Sequence, residues 1–265
     1  MNDNLFKPLG MTSTTFRPTL AMTYPLAQGH NVAGNSTPTV VRPFADNSAS
    51  WPAGSMFTNV LDLSRFVIAF INGGKIDGKQ VLSPAVIAKL SAPHAIIPGQ
   101  PDAKYGYGLM ISNYRGVRLV EHGGSRSGYG SVIKMVPEQR FAVILLGNRT
   151  GVALNKTAEK AMELMLALKP VEAQKPKQEL AMSVSEMANY VGKYGQREVS
   201  FEILLHEGRL FLKQGQYEVP ISKVGENRFS AGLTGNAQME FALVPGADGK
   251  AEYLHLGLRA AKRMK

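Results

Sequence analysis

A proline-containing, charged stretch divides this chain into two regions, and that division limits what the chain can fold into. Residues 169–179 contain two prolines and alternating charges but no aromatic residue. Such a composition is typical of a linker rather than of a packed helix or strand. The sequence therefore predicts two domains, at residues 1–168 and 183–265, joined by a linker at residues 169–182.

The first region mixes helix and strand signals. Thr58, followed by periodic apolar residues up to Gly73, predicts one helix, and Ser83 with Pro84 predicts a second that ends near Ser91. The apolar period then changes to that of strands joined by tight turns, which predicts an antiparallel meander flanked by helices. The strands are expected at residues 107–114, 117–122, 129–136 and 140–146, and a further helix at residues 152–168.

The second region has the pattern of a small β domain. Ser183 with Glu186 three residues later is a capping box, which predicts one short helix. Strand-like segments follow at residues 199–205, 209–213, 217–223, 228–231, 237–244 and 252–258. About six short strands in so short a segment favour a small barrel or a curled sheet. The predicted fold class is α+β, an antiparallel sheet with flanking helices followed by a small all-β domain.

Composition and charge exclude several classes of protein. The chain has no cysteine, which excludes disulfides, thiolate metal sites and a cysteine nucleophile. Its net charge of +10 comes from dispersed basic residues without interleaved aromatics, which argues against a nucleic-acid partner. No apolar run has the length of a membrane span, and the first residues lack the apolar segment of a signal peptide. We therefore expect neither a membrane span nor a signal peptide in this chain.

No metal or cofactor is predicted either. No two of the five histidines have ligand spacing, because the zinc-protease pattern that begins at His206 would need a histidine where Leu210 stands. Phosphate-binding loops, dinucleotide fingerprints and the G-x-S-x-G nucleophile elbow are also absent from the sequence.

One stretch rich in small residues, EHGGSRSGYGSVIKMVPE at residues 121–138, stands apart. It runs from the end of one expected strand into the next. Small residues here would let a ligand approach the strand edge and meet backbone N–H groups. The alternative is an ordinary hairpin in which His122 is a half-buried strand residue. The residues alone leave both interpretations open.

Five short motifs occur in a fixed order: FKPLGM at 6–11, PAGSMFT with LDLSRF at 52–66, YGYGL at 105–109, HGG at 122–124 and LGN at 146–148. Together they resemble the serine β-lactamase and penicillin-binding-protein-like hydrolases, in the class C β-lactamase and esterase branch. The segment ANYVGKY at residues 188–194 resembles the lipocalin-like domain often appended to such hydrolases. The resemblance implies the C-terminal part of the hydrolase domain followed by a lipocalin-like β-barrel.

The resemblance also implies roles for individual residues. In this family the Ser of an S-x-x-K helix forms an acyl-enzyme, and a Lys-Thr-Gly or His-x-Gly strand lines the opposite wall. Carried over, His122 is expected to be an electrostatic or proton-relay residue, with Gly123 and Gly124 beside the substrate. Ser125 is expected to donate its backbone N–H to the oxyanion hole. The pocket rim is expected to comprise four side chains: Trp51, Ser55, Tyr105 and Tyr107.

The chain departs from the family at its nucleophile. S-x-x-K spacing occurs once, at Ser131 and Lys134, inside an expected strand whose residues three apart point to opposite faces. Lys134 therefore could not deprotonate Ser131, and no nucleophile is assigned. We expect a truncated serine hydrolase that is inactive as an isolated chain. A missing N-terminal half or a homo-oligomer partner would complete it.

Two classes of function remain open. The resemblance implies a small-molecule substrate, namely a β-lactam, a D-alanyl peptide or a small ester. Because His122 provides no permanent cation for a substrate carboxylate, esterase or peptidase activity is at least as well supported as β-lactamase activity. The alternative is a non-catalytic protein that binds through the β-barrel and the half-sheet. Family members are commonly exported, but this sequence does not fix the compartment.

Overall fold

The protein forms two compact units. A computed structural model describes residues 1–32, 37–42, 46–126, 128–171, 178–196, 199–232 and 238–264. Unit 1 comprises residues 1–94 and 105–171, and unit 2 comprises residues 95–104 and 172–265. Residues 95–104, inside the predicted first domain, thus group with unit 2. Part of the predicted linker, residues 172–177, lies outside the described residues. The domain bounds themselves stay a prediction.

The first part of unit 1 consists of short elements. They are a π-helical turn (Asn2–Phe6), helices α1 (Lys7–Leu9) and α2 (Pro18–Ala21), the paired strands β1 (His30–Asn31) and β2 (Thr39–Val40), and a 3-10 helix (Ser48–Ala53). The paired strands β3 (Lys75–Ile76) and β4 (Lys79–Gln80) follow later in the chain.

Helix α3 (Val60–Ile71) packs on the sheet of unit 1. Its N-cap is Asn59 rather than the predicted Thr58, because the Asn59 side chain accepts a hydrogen bond from the Asp62 N–H at 2.9 Å. Asparagine and threonine are both good caps, so the sequence did not separate the two adjacent positions. The next helix, α4 (Pro84–Leu90), begins after the predicted cap Ser83.

Four antiparallel strands of unit 1 follow one another in space as they do in sequence: β7 (Met110–Tyr114), β8 (Val117–Arg126), β9 (Tyr129–Val136) and β10 (Phe141–Gly147). Val67 of α3 packs with Val120 on one sheet face. Met162 of α5 (Leu154–Met165) packs with Leu119 on the other. The predicted antiparallel sheet with flanking helices is confirmed, but β8 continues past its predicted end at His122.

Unit 2 is a nearly closed sheet of eight antiparallel strands in sequence order. The strands are β11 (Gly192–Gln196), β12 (Val199–His206), β13 (Arg209–Gln214), β14 (Tyr217–Gly225), β15 (Arg228–Gly232), β16 (Gln238–Pro245), β17 (Ala251–Leu256) and β18 (Arg259–Lys262). Tyr194 and Arg263 form a bridge between the two ends of the sheet, where the Met264 N–H also donates to the Lys193 carbonyl at 2.7 Å. The predicted barrel is confirmed.

The barrel has two more strands than predicted. Strand β11 contains two glycines and a single large apolar residue, Tyr194, and β18 has only alanines between its basic ends. Neither shows the alternation that identifies a strand in sequence. The short helix α6 (Val184–Ala188) begins at the predicted cap Ser183, and the hairpin β5 (Ala95–Ile97) and β6 (Gln100–Tyr105) precedes β7 in the chain. No helix among the described residues is long and apolar enough to cross a membrane.

Candidate functional site

The candidate site lies at the end of β8, where this strand runs past β7. Strand β7 pairs only with residues 117–121, whereas β9 pairs with β8 as far as Arg126. Among the described strands, residues 122–126 therefore pair with β9 on one side and do not pair with β7 on the other. Residues of an antiparallel pair alternate between exchanging hydrogen bonds and turning their N–H groups away. Alternate N–H groups along this segment consequently face an open edge.

His122 and Tyr105 form the central polar contact of the site. The Tyr105 Oη lies 3.0 Å from the His122 Nε2, and the two rings meet edge to face with centroids 6.1 Å apart. The imidazole is exposed and the phenol is half-buried. Either ring can donate the shared proton, according to the imidazole tautomer. The pair can therefore orient the imidazole and pass a proton.

Gly123 and Gly124 leave the strand without side chains beside the imidazole. A Cβ on Gly124 would lie 3.0 Å from the Ser131 Oγ, and one on Gly123 would lie 3.3 Å from the Ser131 carbonyl oxygen. The side chain of Ser125 is engaged elsewhere, because its Oγ accepts a hydrogen bond from the Gly151 N–H at 3.0 Å. The role predicted for Ser125 concerns its backbone N–H and stays a prediction.

The structure brings only some of the predicted rim residues to the imidazole. Tyr105 contacts it directly. Tyr107 is 63% exposed, and its ring lies against His94 with centroids 4.4 Å apart. Trp51, in the 3-10 helix, stacks on Phe16 at 5.8 Å. Neither of these two contacts involves His122, so the rim roles of Tyr107 and Trp51 stay predictions.

Arg126 links β8 to the segment that contains Ser55. Its Nη2 donates to the Ser50 Oγ at 3.1 Å, and that oxygen lies 3.4 Å from the Ser55 Oγ. An ideal Cβ on Gly54 would be 3.6 Å from the Arg126 Nη1, so the loop runs beside the guanidinium. Sequence reasoning missed Arg126 and Ser50. Arg126 could have been found by continuing the expected strand four residues beyond His122, because residues four apart on a strand share a face.

The S-x-x-K pair lies on β9, and its two side chains have separate surroundings. The Lys134 Nζ donates to a carboxylate oxygen of Glu121, and the lysine side chain is only 7% exposed. Ser131 instead lies opposite Gly124, on the other face of the sheet. The ammonium group of Lys134 is therefore engaged in a buried ion pair, away from the Ser131 hydroxyl.

A buried carboxylate on α3, that of Asp62, supports the fold. Asp62 accepts hydrogen bonds from the Ser13 N–H at 2.8 Å and the Thr14 hydroxyl at 2.7 Å. These bonds tie the first turn of α3 to the preceding chain. Within the described ranges, no three His, Cys, Asp or Glu side chains form a group that could hold a metal ion.

Sequence comparison identifies the family. The Beta-lactamase family model matches residues 1–167, and the chain belongs to this family. A human beta-lactamase-like protein is 29% identical over 147 residues, covering 55% of this chain and 28% of that protein. Penicillin-binding protein 4 of Amycolatopsis lactamdurans is 27% identical over 174 residues, covering 62% and 44%. The chain thus spans less than half the length of these relatives.

Structural comparison extends the likeness to the whole chain. SurE is similar with a TM-score of 0.68 and 20% identity, over 99% of this chain and 62% of that one. The octameric penicillin-binding protein homologue from Pyrococcus abyssi is similar with a TM-score of 0.53 and 21% identity, over 98% and 58%. These similarities concern the fold. The predicted family is confirmed, and the nearly closed sheet of unit 2 supports the predicted lipocalin-like barrel.

Proposed function

We propose that this chain supplies the His-Gly-Gly wall of a serine hydrolase site that works through an acyl-enzyme. The observation that carries the proposal is the 3.0 Å contact between the Tyr105 Oη and the His122 Nε2 beside an open strand edge. Acyl transfer needs a proton carrier near the leaving group and N–H donors near the developing oxyanion. The His122 imidazole, held by the Tyr105 hydroxyl, can carry the proton. The edge of β8 can supply the N–H donors.

In the proposed reaction a serine hydroxyl attacks the substrate carbonyl and passes its proton to the neighbouring lysine, while the carbonyl oxygen becomes an anion at the edge of β8. The bond between the carbonyl carbon and the leaving group then breaks, the leaving group departs with a proton, and the acyl group stays on the serine. The Ser125 N–H donates to that oxyanion. Gly124 lets the carbonyl approach the strand, because no Cβ stands in the way. His122 then stabilises the developing charge or relays a proton to the leaving group while Tyr105 orients its ring. The serine and its lysine would come from residues outside this sequence, in the same polypeptide or in a partner chain.

The substrates proposed are β-lactams, D-alanyl peptides or small esters. SurE, whose fold is similar, has also been crystallised with D-Leu. Compounds that contain D-amino acids are therefore the first class to test. The proposed site can be probed in the isolated chain, because binding along β8 does not require the nucleophile.

The test is a titration of the ¹⁵N-labelled chain with N-acetyl-D-alanyl-D-alaninamide, an uncharged peptide. We expect the amide resonances of residues 122–126 to shift, and the affinity to fall severalfold in His122→Ala. His206→Ala, which removes an imidazole from unit 2, should bind as the unaltered chain does. Binding that is unchanged in His122→Ala would refute the assigned wall.

The second candidate is a non-catalytic binding protein. The observation that favours it is the buried Lys134–Glu121 ion pair, which leaves the only S-x-x-K lysine of the sequence without a free amine. The same titration separates the two candidates. Resonance shifts confined to the strands of unit 2, with none at residues 122–126, would favour the binding protein.

A further inference from the structure

A loop that carries an exposed tyrosine, residues 106–109, borders the open edge of β8. Strand β7 begins at Met110, which is paired with Glu121 of β8. Because the two strands are antiparallel, the residues that precede Met110 lie at the level of His122 and of the residues that follow it. Tyr107 in this loop therefore lies beside the segment along which the proposed function places the substrate.

The backbone of this loop is held by close contacts. The Gly106 N–H donates to the Leu109 carbonyl at 2.7 Å, which closes a tight turn. A Cβ on Gly106 would lie 2.7 Å from the Ala92 carbonyl oxygen, so the loop packs directly on the chain that follows α4. Together these contacts define the position from which Tyr107 projects.

The Tyr107 ring is supported by His94 and is otherwise exposed. The centroids of the two rings are 4.4 Å apart, and Tyr107 is 63% exposed. His94 is itself anchored, because its Nε2 lies 3.0 Å from the Lys89 carbonyl oxygen and its backbone N–H donates to the Tyr105 carbonyl at 2.9 Å. An aromatic side chain that is already held in place loses little conformational entropy when another ring packs against it.

The proposed reaction determines which part of a substrate lies near this ring. In that reaction the oxyanion binds at the Ser125 N–H, and His122 acts at the leaving group. His122 therefore marks the leaving-group side of the bond that breaks. Tyr105 contacts this imidazole at 3.0 Å, and Tyr107 follows Tyr105 by two residues. The pair formed by Tyr107 and His94 consequently lies on the leaving-group side.

We infer that Tyr107, supported by His94, packs against an aromatic leaving group and makes the site prefer benzyl and aryl amides or esters over small aliphatic ones. The inference rests on the proposed function, because that function places the substrate along β8 and the leaving group at His122. It narrows the substrate class, since the proposed function leaves the leaving group unspecified. Ring pairs in offset or edge-to-face geometry are stabilised beyond the burial of their apolar area, which gives an aromatic group the advantage.

The test compares N-acetyl-D-alanine benzylamide with N-acetyl-D-alanine methylamide in titrations of the ¹⁵N-labelled chain. The two compounds share their acyl part and differ only by the ring. The affinity for the methylamide therefore reports the wall, and the ratio of the two affinities reports the aromatic contact. We expect the benzylamide to bind about fivefold more tightly, which corresponds to about 1 kcal/mol.

Variants assign the preference to one ring. Tyr107→Leu keeps an apolar side chain but removes the ring, and it should bring the ratio close to one, whereas Tyr107→Phe should keep it. Tyr217→Leu, which removes a similarly exposed tyrosine from β14 of unit 2, should also keep the full ratio. If the unaltered chain binds both amides equally, or if Tyr107→Leu keeps the preference, the inference is wrong while the proposed wall stands. If neither amide binds, both fail.

Discussion

At the scale of single residues, the contact between Tyr105 and His122 determines how the imidazole is presented at the open edge of β8. The Tyr105 hydroxyl is the partner of the Nε2, 3.0 Å away. Tyr105→Phe keeps the aromatic ring and removes this hydrogen bond. We expect the His122 Nε2 to shift in a long-range ¹H–¹⁵N spectrum as its tautomer balance changes. The free energy of unfolding should fall by no more than about 1 kcal/mol, a typical value for one hydrogen bond.

His94 serves as an internal control for this prediction. Its ring contacts Tyr107, and its Nε2 lies 3.0 Å from the Lys89 carbonyl. These contacts do not include the removed hydroxyl, so the His94 signals should stay in place. Unchanged His122 nitrogens would show that the pair does not exist in solution.

A second residue-scale prediction concerns Tyr194 in the core of unit 2. Burial raises the pKa of Tyr194 to about 12, and its hydroxyl donates to the Tyr190 carbonyl at 2.6 Å. In the unfolded chain a tyrosine ionises near pH 10, so the stabilisation is complete below about pH 10 and is lost as the pH rises toward about 12. The loss attributable to this residue should reach about 2 kcal/mol.

Tyr194→Phe provides the comparison, because phenylalanine cannot ionise. Urea unfolding of the barrel signal between pH 8 and pH 12 should show a shallower loss of stability for this variant than for the unaltered chain. Parallel pH profiles would contradict the prediction, since they would mean that Tyr194 ionises equally in both states.

At the scale of elements, the ion pair between Glu121 and Lys134 joins β8 to β9. Their side chains are 20% and 7% exposed. Lys134→Met would leave a poorly solvated carboxylate without its partner, which costs about 3–5 kcal/mol for a buried pair. The double variant Glu121→Gln with Lys134→Met should recover most of that loss, because no unpaired charge remains. Urea unfolding monitored by circular dichroism measures both effects.

The matched control is the exposed pair between Lys193 and Glu202, 3.8 Å apart. Lys193→Met should cost less than about 1 kcal/mol, as is usual for surface ion pairs. Equal losses for Lys134→Met and Lys193→Met would show that the Glu121–Lys134 pair is not buried in solution.

Elements with a clear apolar pattern or a cap residue could be predicted from the sequence. Strand β9 occupies the predicted residues 129–136 because its apolar pattern is bounded by clear turn residues. Helix α4 begins after its predicted cap Ser83, whose hydroxyl accepts from the Val86 N–H. The end of β8 was not predictable, because Gly123 and Gly124 carry no hydrophobic pattern and resemble a turn. Pairing with β9 extends the strand, and that extension brings Arg126 into the candidate site.

At the scale of the whole molecule, tertiary contacts decide what sequence reasoning left open. The contact of Arg126 with Ser50 joins residues that are 76 positions apart, and no local pattern predicts it. The family motifs did place His122 beside two glycines on a strand, and they placed Tyr105 within reach of it. Residues 95–104 group with unit 2, and nothing in their own sequence indicates that grouping. The motifs therefore predicted which residues lie near His122, whereas long-range packing determined the contact between Arg126 and Ser50.

The proposed function requires that this chain hold one wall of an acyl-enzyme site without its nucleophile. The most direct measurement is intact-mass spectrometry of the purified chain after incubation with benzylpenicillin and with an activated short-chain ester. Near-ultraviolet circular dichroism on the same sample confirms that the chain is folded. We expect a folded chain whose mass is unchanged. A stoichiometric adduct on one serine would contradict it, because the chain would then contain its own nucleophile.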